Sequence, residues 1–284
     1  MIEPPDSSAI ATAVRAALDE DRAVEDATTL ATVTPTLKGT ARFLAKQDGV
    51  LAGMPVALEA FKSFDREATV TVRIPEGGAF SSGTVLAEVT CSVRAMLQAE
   101  RVALNFLQRL CGTATLTRAF VDAVRDTGAV ILDTRKTTPG MRDLEKYAVR
   151  CGGGTNHRRD LASMAMIKDN HREALARAEL SLAEGVAAIR ERTPGIAVEV
   201  EVDSLDQIGE ALAGAPEWIL LDNMNTRDMA QAVHRVAGRA KLEASGGVNL
   251  RTVRAIADTG VDAISVGALT HSAGSVDISL DLEF

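Results

Sequence analysis

The sequence predicts an α/β protein whose second part is a β/α barrel with fewer than eight strands. From residue 129 onward, six short apolar segments each end in a polar residue or glycine, and helical periodicity fills most of the intervals between them. Strands that alternate with helices indicate a parallel sheet with right-handed crossovers. The six predicted strands are 129–133, 165–168, 197–201, 218–222, 241–245 and 263–267.

The residues at the strand ends favour a barrel over a doubly wound sheet. In a barrel, the carboxyl ends of all strands meet at one mouth, whereas in a doubly wound sheet only the switch point collects functional residues. Here every predicted strand ends in a polar residue or a glycine, so a barrel would bring six such residues to one mouth. They are Asp133, Lys168, Glu201, Asp222, Ser245 and Gly267.

The elements outside the sheet follow from their periodicity. Residues 41–90 are strand-rich, with β-branched runs at 68–74 and 84–90 between glycine turns. A domain boundary is placed near residue 110. Helices are predicted at 8–20, 93–110, 175–192, 205–213, 226–236 and 250–258. In the helix at 93–110, Arg101, Asn105 and Gln108 form a polar stripe beside an apolar face.

Composition limits the class of protein. With 284 residues, 46% hydrophobic and 25% charged, the chain has the composition of a globular protein, and its net charge of −8 argues against nucleic-acid binding. The first residues lack the basic start and apolar core of a signal peptide, and no apolar run approaches the roughly 18 residues of a membrane span. A cytoplasmic enzyme that does not bind membranes is expected. The three cysteines form no C-x-x-C pair, so no zinc site is indicated.

Positive charge is concentrated in one stretch of this acidic chain. Residues 133–172 contain nine Lys or Arg against five Asp or Glu, together with two of the four histidines and the glycine run 152–154. Arginine binds carboxylate or phosphate bidentately, and lysine supplies a mobile charge. We therefore predict an anion site in this stretch. Its cationic candidates are Arg135, Lys136, His157, Arg158 and Lys168.

Acidic residues and glycine turns follow at the same predicted mouth. Glu201 and Asp222, with Glu199 on the strand face of Glu201, are candidates for binding a Mg²⁺–phosphate ligand, for sugar hydroxyls or for stabilising a cationic transition state. The turns that start at Ser245 and Gly267 are typical of the phosphate pocket late in a barrel. Together the residues predict a site for a phosphorylated sugar and an acidic partner.

The motifs that carry these residues resemble those of the quinolinate phosphoribosyltransferase family. The resemblance runs from about residue 8 to the C-terminus. It is strongest in the segments Asp133-Thr-Arg-Lys-Thr-Thr-Pro-Gly140, Gly152-Gly-Gly-Thr-Asn-His-Arg158, Ile167-Lys-Asp-Asn-His171, Glu199-Val-Glu201, Leu221-Asp-Asn223, Glu243-Ala-Ser-Gly-Gly247 and Val266-Gly-Ala-Leu-Thr-His271.

The resemblance implies an architecture and a reaction. It implies an N-terminal α/β sandwich domain at 1–110, with 272–284 packing back on it, and a barrel domain at 111–271. It also implies a homodimer, and a Mg²⁺-dependent reaction in which quinolinate and phosphoribosyl pyrophosphate give nicotinate mononucleotide, pyrophosphate and CO₂ in NAD biosynthesis.

By the same resemblance, the site residues fall into three groups. Quinolinate would contact Arg135, His157, Arg158 and Lys168, together with Arg101 of the neighbouring subunit. The catalytic residues would be Lys136, Glu201 and Asp222, with the metal near the last two. Further substrate contacts would come from Thr134, Ser245, Gly246, Gly247, Val266, Gly267, Ala268 and His271.

Three other functions remain open at this point. A related phosphoribosyltransferase could use a different acceptor, of the nicotinate type or associated with molybdenum uptake, although a monocarboxylate would not need the full cationic set. Lys168 could be the Schiff-base lysine of a barrel aldolase. A non-catalytic sugar-phosphate binding protein would bind without turnover.

Overall fold

The computed structural model describes residues 2–283, which form two compact units. The first contains residues 1–118, 136–153 and 269–284, and the second contains residues 119–135 and 154–268. The units are groups of residues in mutual contact. The domain boundaries at residues 1–110 and 111–271 stay a prediction. No helix within 2–283 is both long and apolar enough to cross a membrane.

An antiparallel four-stranded sheet organises the first unit. Its order is β12-β1-β5-β3, so the last strand of the chain pairs with the first, with Phe43 opposite Leu280. The strands of this unit are β1 Lys38–Ala45, β2 Gly49–Val50, β3 Thr69–Val72, β4 Ala79–Phe80, β5 Val85–Ser92 and β12 Ile278–Glu283.

The helices of the first unit bury small and aliphatic side chains against this sheet. Val56, Ala57, Met96 and Leu107 are fully buried in one continuous core, and removing this apolar surface from water stabilises the fold. The helices are α1 Ser7–Glu20, α2 Ala27–Thr32, α3 Met54–Lys62, α4 Val93–Ala123 and α5 Arg142–Cys151. The last residues of α4, from Ala119, are counted in the second unit.

The second unit is built on a parallel six-stranded sheet, as predicted. Its order is β6-β11-β10-β9-β8-β7, so the first strand in sequence lies beside the last. This cyclic order is that of a barrel, and the additional bridge between Leu132 and Thr155 extends the edge at β6. The strands are β6 Val130–Leu132, β7 Ala165–Ile167, β8 Val198–Val202, β9 Trp218–Asp222, β10 Lys241–Ser245 and β11 Ala263–Ser265.

Helices follow strands β7 to β10 along the chain. They are α6 Asp169–Arg177, α7 Leu182–Arg192, α8 Ile208–Ala213, α9 Thr226–Val236 and α10 Val253–Ala257. After β11, α11 Ala268–His271 begins at the last residue of this unit, and its other residues belong to the first unit. The prediction at 226–236 is confirmed over its full length. A single helix at 175–192 is wrong: Glu179 has a left-handed φ of 57°, and Ser181 caps α7 in a reciprocal pair with Glu184.

Three other sequence predictions need correction. The region 41–90 contains α3 as well as strands, because its apolar residues are nearly continuous and show no clear period. Helix α4 continues past residue 110 to Ala123. Helix α5 was not predicted, because Glu145 and Lys146 break its apolar pattern although both are buried.

Candidate functional site

One face of the six-stranded sheet carries four acidic side chains and a serine of the second unit. Residues paired directly across neighbouring strands share a face, and side chains alternate along each strand. The pairing aligns Met166 with Glu199, Glu201 with Leu220, Leu220 with Glu243, and Asp222 with Ser245. Glu199, Glu201, Asp222, Glu243 and Ser245 therefore face the same side, as predicted for Glu199 and Glu201.

The loop before β7 is held by a buried carboxylate at the end of β6. Asp133, which is 0% exposed, accepts the backbone N–H of His157 at 2.9 Å and the side-chain amide of Asn156 at 2.6 Å. Asp133 thus has a structural role, because it positions the Asn-His segment. Charge-assisted hydrogen bonds of this kind are about twice as strong as neutral ones, so the segment is well fixed.

His157 joins this loop to two carboxylates inside the sheet. Its Nε2 lies 3.2 Å from Oε2 of Glu199 and 3.0 Å from Oε2 of Glu243, and its Nδ1 accepts the backbone N–H of Arg158 at 2.7 Å. Burial would lower the pKa of His157, but the two carboxylates raise that pKa to about 9. Burial and the neighbouring Glu243 raise the pKa of Glu199 above its ordinary value. The ring therefore favours the cationic form.

Two arginines share this environment. Arg158 is half-buried, and its guanidinium donates to the carbonyl of Met164 at 3.1 Å and to Sδ of Met166 at 3.5 Å. Burial lowers the pKa of Arg158, nearby Arg135 lowers it further, and Glu199 and Glu243 act in the opposite direction. The two arginines thus stand close enough to repel each other, and an anion between them would relieve that repulsion.

Lys168 and Glu201 form an ion pair between the ends of β7 and β8. The Lys168 side chain is 44% exposed and that of Glu201 is 13% exposed, so the lysine remains accessible to a ligand. On the next strand, the carboxylate of Asp222 accepts the side-chain amide of Asn223 at 2.8 Å. Acidic groups thus end two adjacent strands, and each is oriented by a neighbour.

The glycine turn after β10 packs against Asn223. Gly246 has a φ of +95°, and a Cβ at this position would lie 2.1 Å from Oδ1 of Asn223. Gly247 has a φ of +62°, and a Cβ there would meet nothing within 4 Å. Only glycine fits the first position, and the backbone of the exposed Gly247 can approach a phosphate. After β11, Val266 is buried and its N–H binds the carbonyl of Leu132 at 2.9 Å, while Gly267 and Ala268 are half-buried.

The predicted site residues are thus divided between the two units. The second unit brings together the cations Arg135, His157 and Arg158, and it also holds half-buried Thr134. The first unit contains Arg101, Lys136 and His271, all of which are exposed. There the backbone carbonyl of Lys136 accepts the Thr270 hydroxyl at 2.8 Å. Membership of these residues in one substrate site stays a prediction.

Sequence reasoning assigned no role to two buried residues of the cluster. Glu243 stood only within a motif, and Glu199 only as a neighbour of Glu201. Both lie two residues before a predicted site residue on the same strand, Ser245 or Glu201. This period-two spacing could have placed their side chains on the site face, although it could not have shown that both contact His157.

Two family models together match most of the chain. The model "Quinolinate phosphoribosyl transferase, N-terminal domain" matches residues 26–111, and the corresponding C-terminal domain model matches residues 113–281. The nicotinate-nucleotide pyrophosphorylase [carboxylating] of Mycobacterium leprae is 46% identical over 95% of both chains. The quinolinate phosphoribosyltransferase [decarboxylating] 1b of Nicotiana tabacum is 38% identical over 95% of this chain and 81% of that protein.

Solved structures agree in fold. NadC from Streptococcus pyogenes superimposes with a TM-score of 0.90 at 42% identity, over 95% of each chain. The nicotinate-nucleotide pyrophosphorylase from Francisella tularensis gives a TM-score of 0.91 at 35% identity, over 100% of this chain and 99% of that one. Together with the motifs and the polar face of the sheet, these similarities place the chain in the quinolinate phosphoribosyltransferase family.

Proposed function

We propose that this protein is a pentosyltransferase, a carboxylating nicotinate-nucleotide pyrophosphorylase. It converts quinolinate and phosphoribosyl pyrophosphate to nicotinate mononucleotide, pyrophosphate and CO₂. Both curated relatives described above carry names of this activity, and this chain aligns with at least four-fifths of each of them.

The observation that carries the proposal is the cationic cluster of the second unit. His157 contacts Glu199 and Glu243 of the sheet, Arg158 is the next residue and is affected electrostatically by Arg135, and Lys168 follows the end of β7. Quinolinate carries two adjacent carboxylates, and several cations are needed to remove both from water and orient them. A monocarboxylate acceptor would leave part of this charge without a partner, so the cluster favours a dicarboxylate.

The residues account for the proposed steps. The ring nitrogen of quinolinate forms a bond to the ribose carbon as the bond to pyrophosphate breaks. Positive charge that develops on the ribose is stabilised by Glu201 and Asp222. The ribosylated nitrogen is cationic, so the neighbouring carboxylate leaves as CO₂ and its electron pair remains on the ring carbon, which then takes up a proton. Cations that held the departing carboxylate keep the ring in place.

Mg²⁺ is the metal we propose for the pyrophosphate substrate. It prefers octahedral oxygen ligands and is usually held by one or two carboxylates together with substrate phosphates. Half-buried Glu201 and Asp222, at the ends of adjacent strands, match this donor type. Bound there, Mg²⁺ would neutralise charge on the leaving pyrophosphate. A chelator should abolish turnover and added Mg²⁺ should restore it.

A single assay tests the acceptor. Purified protein with Mg²⁺ and phosphoribosyl pyrophosphate should form nicotinate mononucleotide from quinolinate and release one CO₂ for each nucleotide. A parallel reaction with nicotinate should be slower by at least about a hundredfold in kcat/KM, which corresponds to roughly 2.7 kcal/mol. Turnover of nicotinate without turnover of quinolinate would replace this function by that of a monocarboxylate-specific relative.

The aldolase alternative is disfavoured by one contact. A Schiff-base lysine must be a neutral amine when it attacks a carbonyl, and burial in apolar surroundings commonly achieves this. Lys168 is instead 44% exposed and paired with the Glu201 carboxylate, so it lacks such surroundings. Borohydride in the presence of aldehyde or ketone phosphates should therefore trap no adduct on Lys168.

We also propose a homodimer in which Arg101 reaches the neighbouring acceptor site. Arg101 is exposed on α4, one turn before exposed Asn105, so both side chains are available to a second chain. Arg101→Ala and Arg158→Ala proteins should each be inactive and folded. Mixing them after subunit exchange should restore part of the activity, because one of the two sites in a mixed dimer is then intact. Mixed dimers without activity would contradict a shared site.

A further inference from the structure

Two fully buried carboxylates lie on the inner face of the second unit's sheet. Glu199 is 0% exposed and Glu243 is 1% exposed, and they belong to β8 and β10, which are separated by β9. Isolated ionised carboxylates in such surroundings are strongly disfavoured, so buried charges are normally paired. The proposed reaction as described above assigns them no contact with a reacting atom.

Their common neighbour is His157. Nε2 of the ring lies 3.2 Å from Glu199 and 3.0 Å from Glu243, while one N–H can point fully at only one acceptor. By hydrogen-bond geometry, neither oxygen of Glu199 nor Oε2 of Glu243 has a donor within residues 2–283. A protonated Nε2 is therefore attracted electrostatically by both carboxylates.

Backbone groups hold His157 on the side away from the carboxylates. Asp133 accepts the His157 backbone N–H, and the Arg158 backbone N–H donates to Nδ1 at 2.7 Å. Because Nδ1 accepts this hydrogen bond, the proton of a neutral ring is on Nε2. Glu199 and Glu243 are the acidic groups that Nε2 faces.

A metal centre is the other arrangement that these three side chains permit. Their ligand atoms lie within 4.8 Å of one another and are of types that bind divalent cations. However, Nε2 of His157 already lies within 3.2 Å of both carboxylates. The guanidinium of Arg158 lies 3.5 Å from Sδ of Met166, the residue that pairs with Glu199 across the strands. A dication would have to displace the proton of the ring and stand near a second fixed cation, so a protonated ring is the better account of the geometry.

We propose that Glu199 and Glu243 are positioning residues that act through His157, holding its ring with a proton on Nε2 so that the acceptor subsite keeps its shape and charge. The inference rests on the proposed function for the identity of the acceptor. Neither carboxylate touches substrate; each sets the orientation of a side chain that does.

The first test uses the wild-type protein and needs no turnover. With ¹⁵N-labelled histidine, NMR should show one Nε2-bound proton that exchanges slowly with water and is lost in His157→Gln. This signal should persist after treatment with a chelator. A His157 ring without a proton on Nε2, or a signal that requires a metal, would overturn the proposal. The measurement stays valid if quinolinate proves not to be the acceptor.

The second test measures binding in isosteric variants. In Glu199→Gln and in Glu243→Gln, calorimetry should show quinolinate binding weakened by at least tenfold, with phosphoribosyl pyrophosphate binding changed less than threefold. In a His157→Gln background, each of these substitutions should weaken quinolinate binding less than threefold relative to His157→Gln alone. Equal losses for both substrates, or losses that simply multiply, would show a general structural role instead. If one variant does not fold, the other carries the test.

A matched control lies at the amino end of β9. Glu217 immediately precedes this strand, where its carboxylate accepts the Val198 backbone N–H at 2.7 Å and an Arg190 guanidinium N–H at 2.9 Å. Glu217→Gln makes the same chemical change in the same sheet, at a carboxylate that is paired with Arg190 and not with His157. It should leave both substrate affinities within twofold of wild type and leave the His157 signal unchanged.

Discussion

Asp133 accepts the backbone N–H of His157 at 2.9 Å, across 24 residues of sequence. The same carboxylate accepts the amide of Asn156, so one buried group holds two consecutive residues of the loop. The position of His157 thus depends on a residue that makes no proposed contact with substrate. Asp133 links the end of β6 to the acceptor side of the site.

Asp133→Asn should weaken both the fold and acceptor binding. An asparagine can still accept one hydrogen bond, but its amide group would face a second N–H donor, and hydrogen bonds to a charged group contribute about 1.5–3 kcal/mol each. We expect the free energy of unfolding in urea to fall by roughly 2 kcal/mol, with an increase in the KM for quinolinate. Asp122→Asn is the control, because that carboxylate forms only an exposed pair with Arg125. An unfolding free energy in Asp133→Asn as high as in this control would contradict the role given to Asp133.

The Lys168–Glu201 pair predicts different effects for its two members. Exposed or half-exposed ion pairs contribute about 0–1 kcal/mol, so neither Lys168→Met nor Glu201→Gln should change the melting temperature much. Lys168→Met should raise the KM for quinolinate, whereas Glu201→Gln should mainly lower kcat or raise the KM for phosphoribosyl pyrophosphate. Steady-state kinetics with each substrate varied in turn would separate them. If both variants affected the same substrate, the division into acceptor and donor sides would be wrong.

The sheet of the second unit was predictable because its information is local. Each strand is a short apolar run, and period-two alternation fixes which residues share a face, as Glu199 and Glu201 do. The cyclic strand order then follows from right-handed crossovers between successive strands. The six strands and the polar strand ends were therefore obtained from the chain alone.

The contacts that determine the site's electrostatics were not predictable in this way. His157 meets Glu199 and Glu243 from a loop, and the pairing of residues 42 and 86 positions apart leaves no pattern in one sequence. Helix α5 was missed for a related reason. Its Glu145 is 0% exposed because Arg109 and Thr138 bind it. A polar residue at a buried position hides the apolar pattern by which a helix is predicted.

The raised pKa of His157 predicts a pH dependence of stability. Its folded-state pKa is about 9 against an ordinary 6.5, so folding favours the protonated ring. This stabilisation is fully present below pH 6.5 and is lost as the pH rises to about 9. The free energy of unfolding of the wild type should therefore exceed that of His157→Gln most strongly at pH 6. Between pH 6 and pH 9.5 this difference should shrink by roughly 2–3 kcal/mol. An excess that stays constant over this range would show that folding does not raise the pKa of the ring.

Gly246→Ala should damage the donor side of the site through a steric clash. The added Cβ would lie 2.1 Å from Oδ1 and 3.0 Å from the backbone nitrogen of Asn223, whose N–H binds the carbonyl of Ser245. Strain at a φ of +95° adds roughly 1–3 kcal/mol. We expect a lower melting temperature and a raised KM for phosphoribosyl pyrophosphate, measured by calorimetry and kinetics. Gly247→Ala separates the two causes, because it also has a positive φ but meets nothing within 4 Å. If both variants lost the same stability, backbone strain alone would be responsible, and the contact with Asn223 would have no part in shaping the turn.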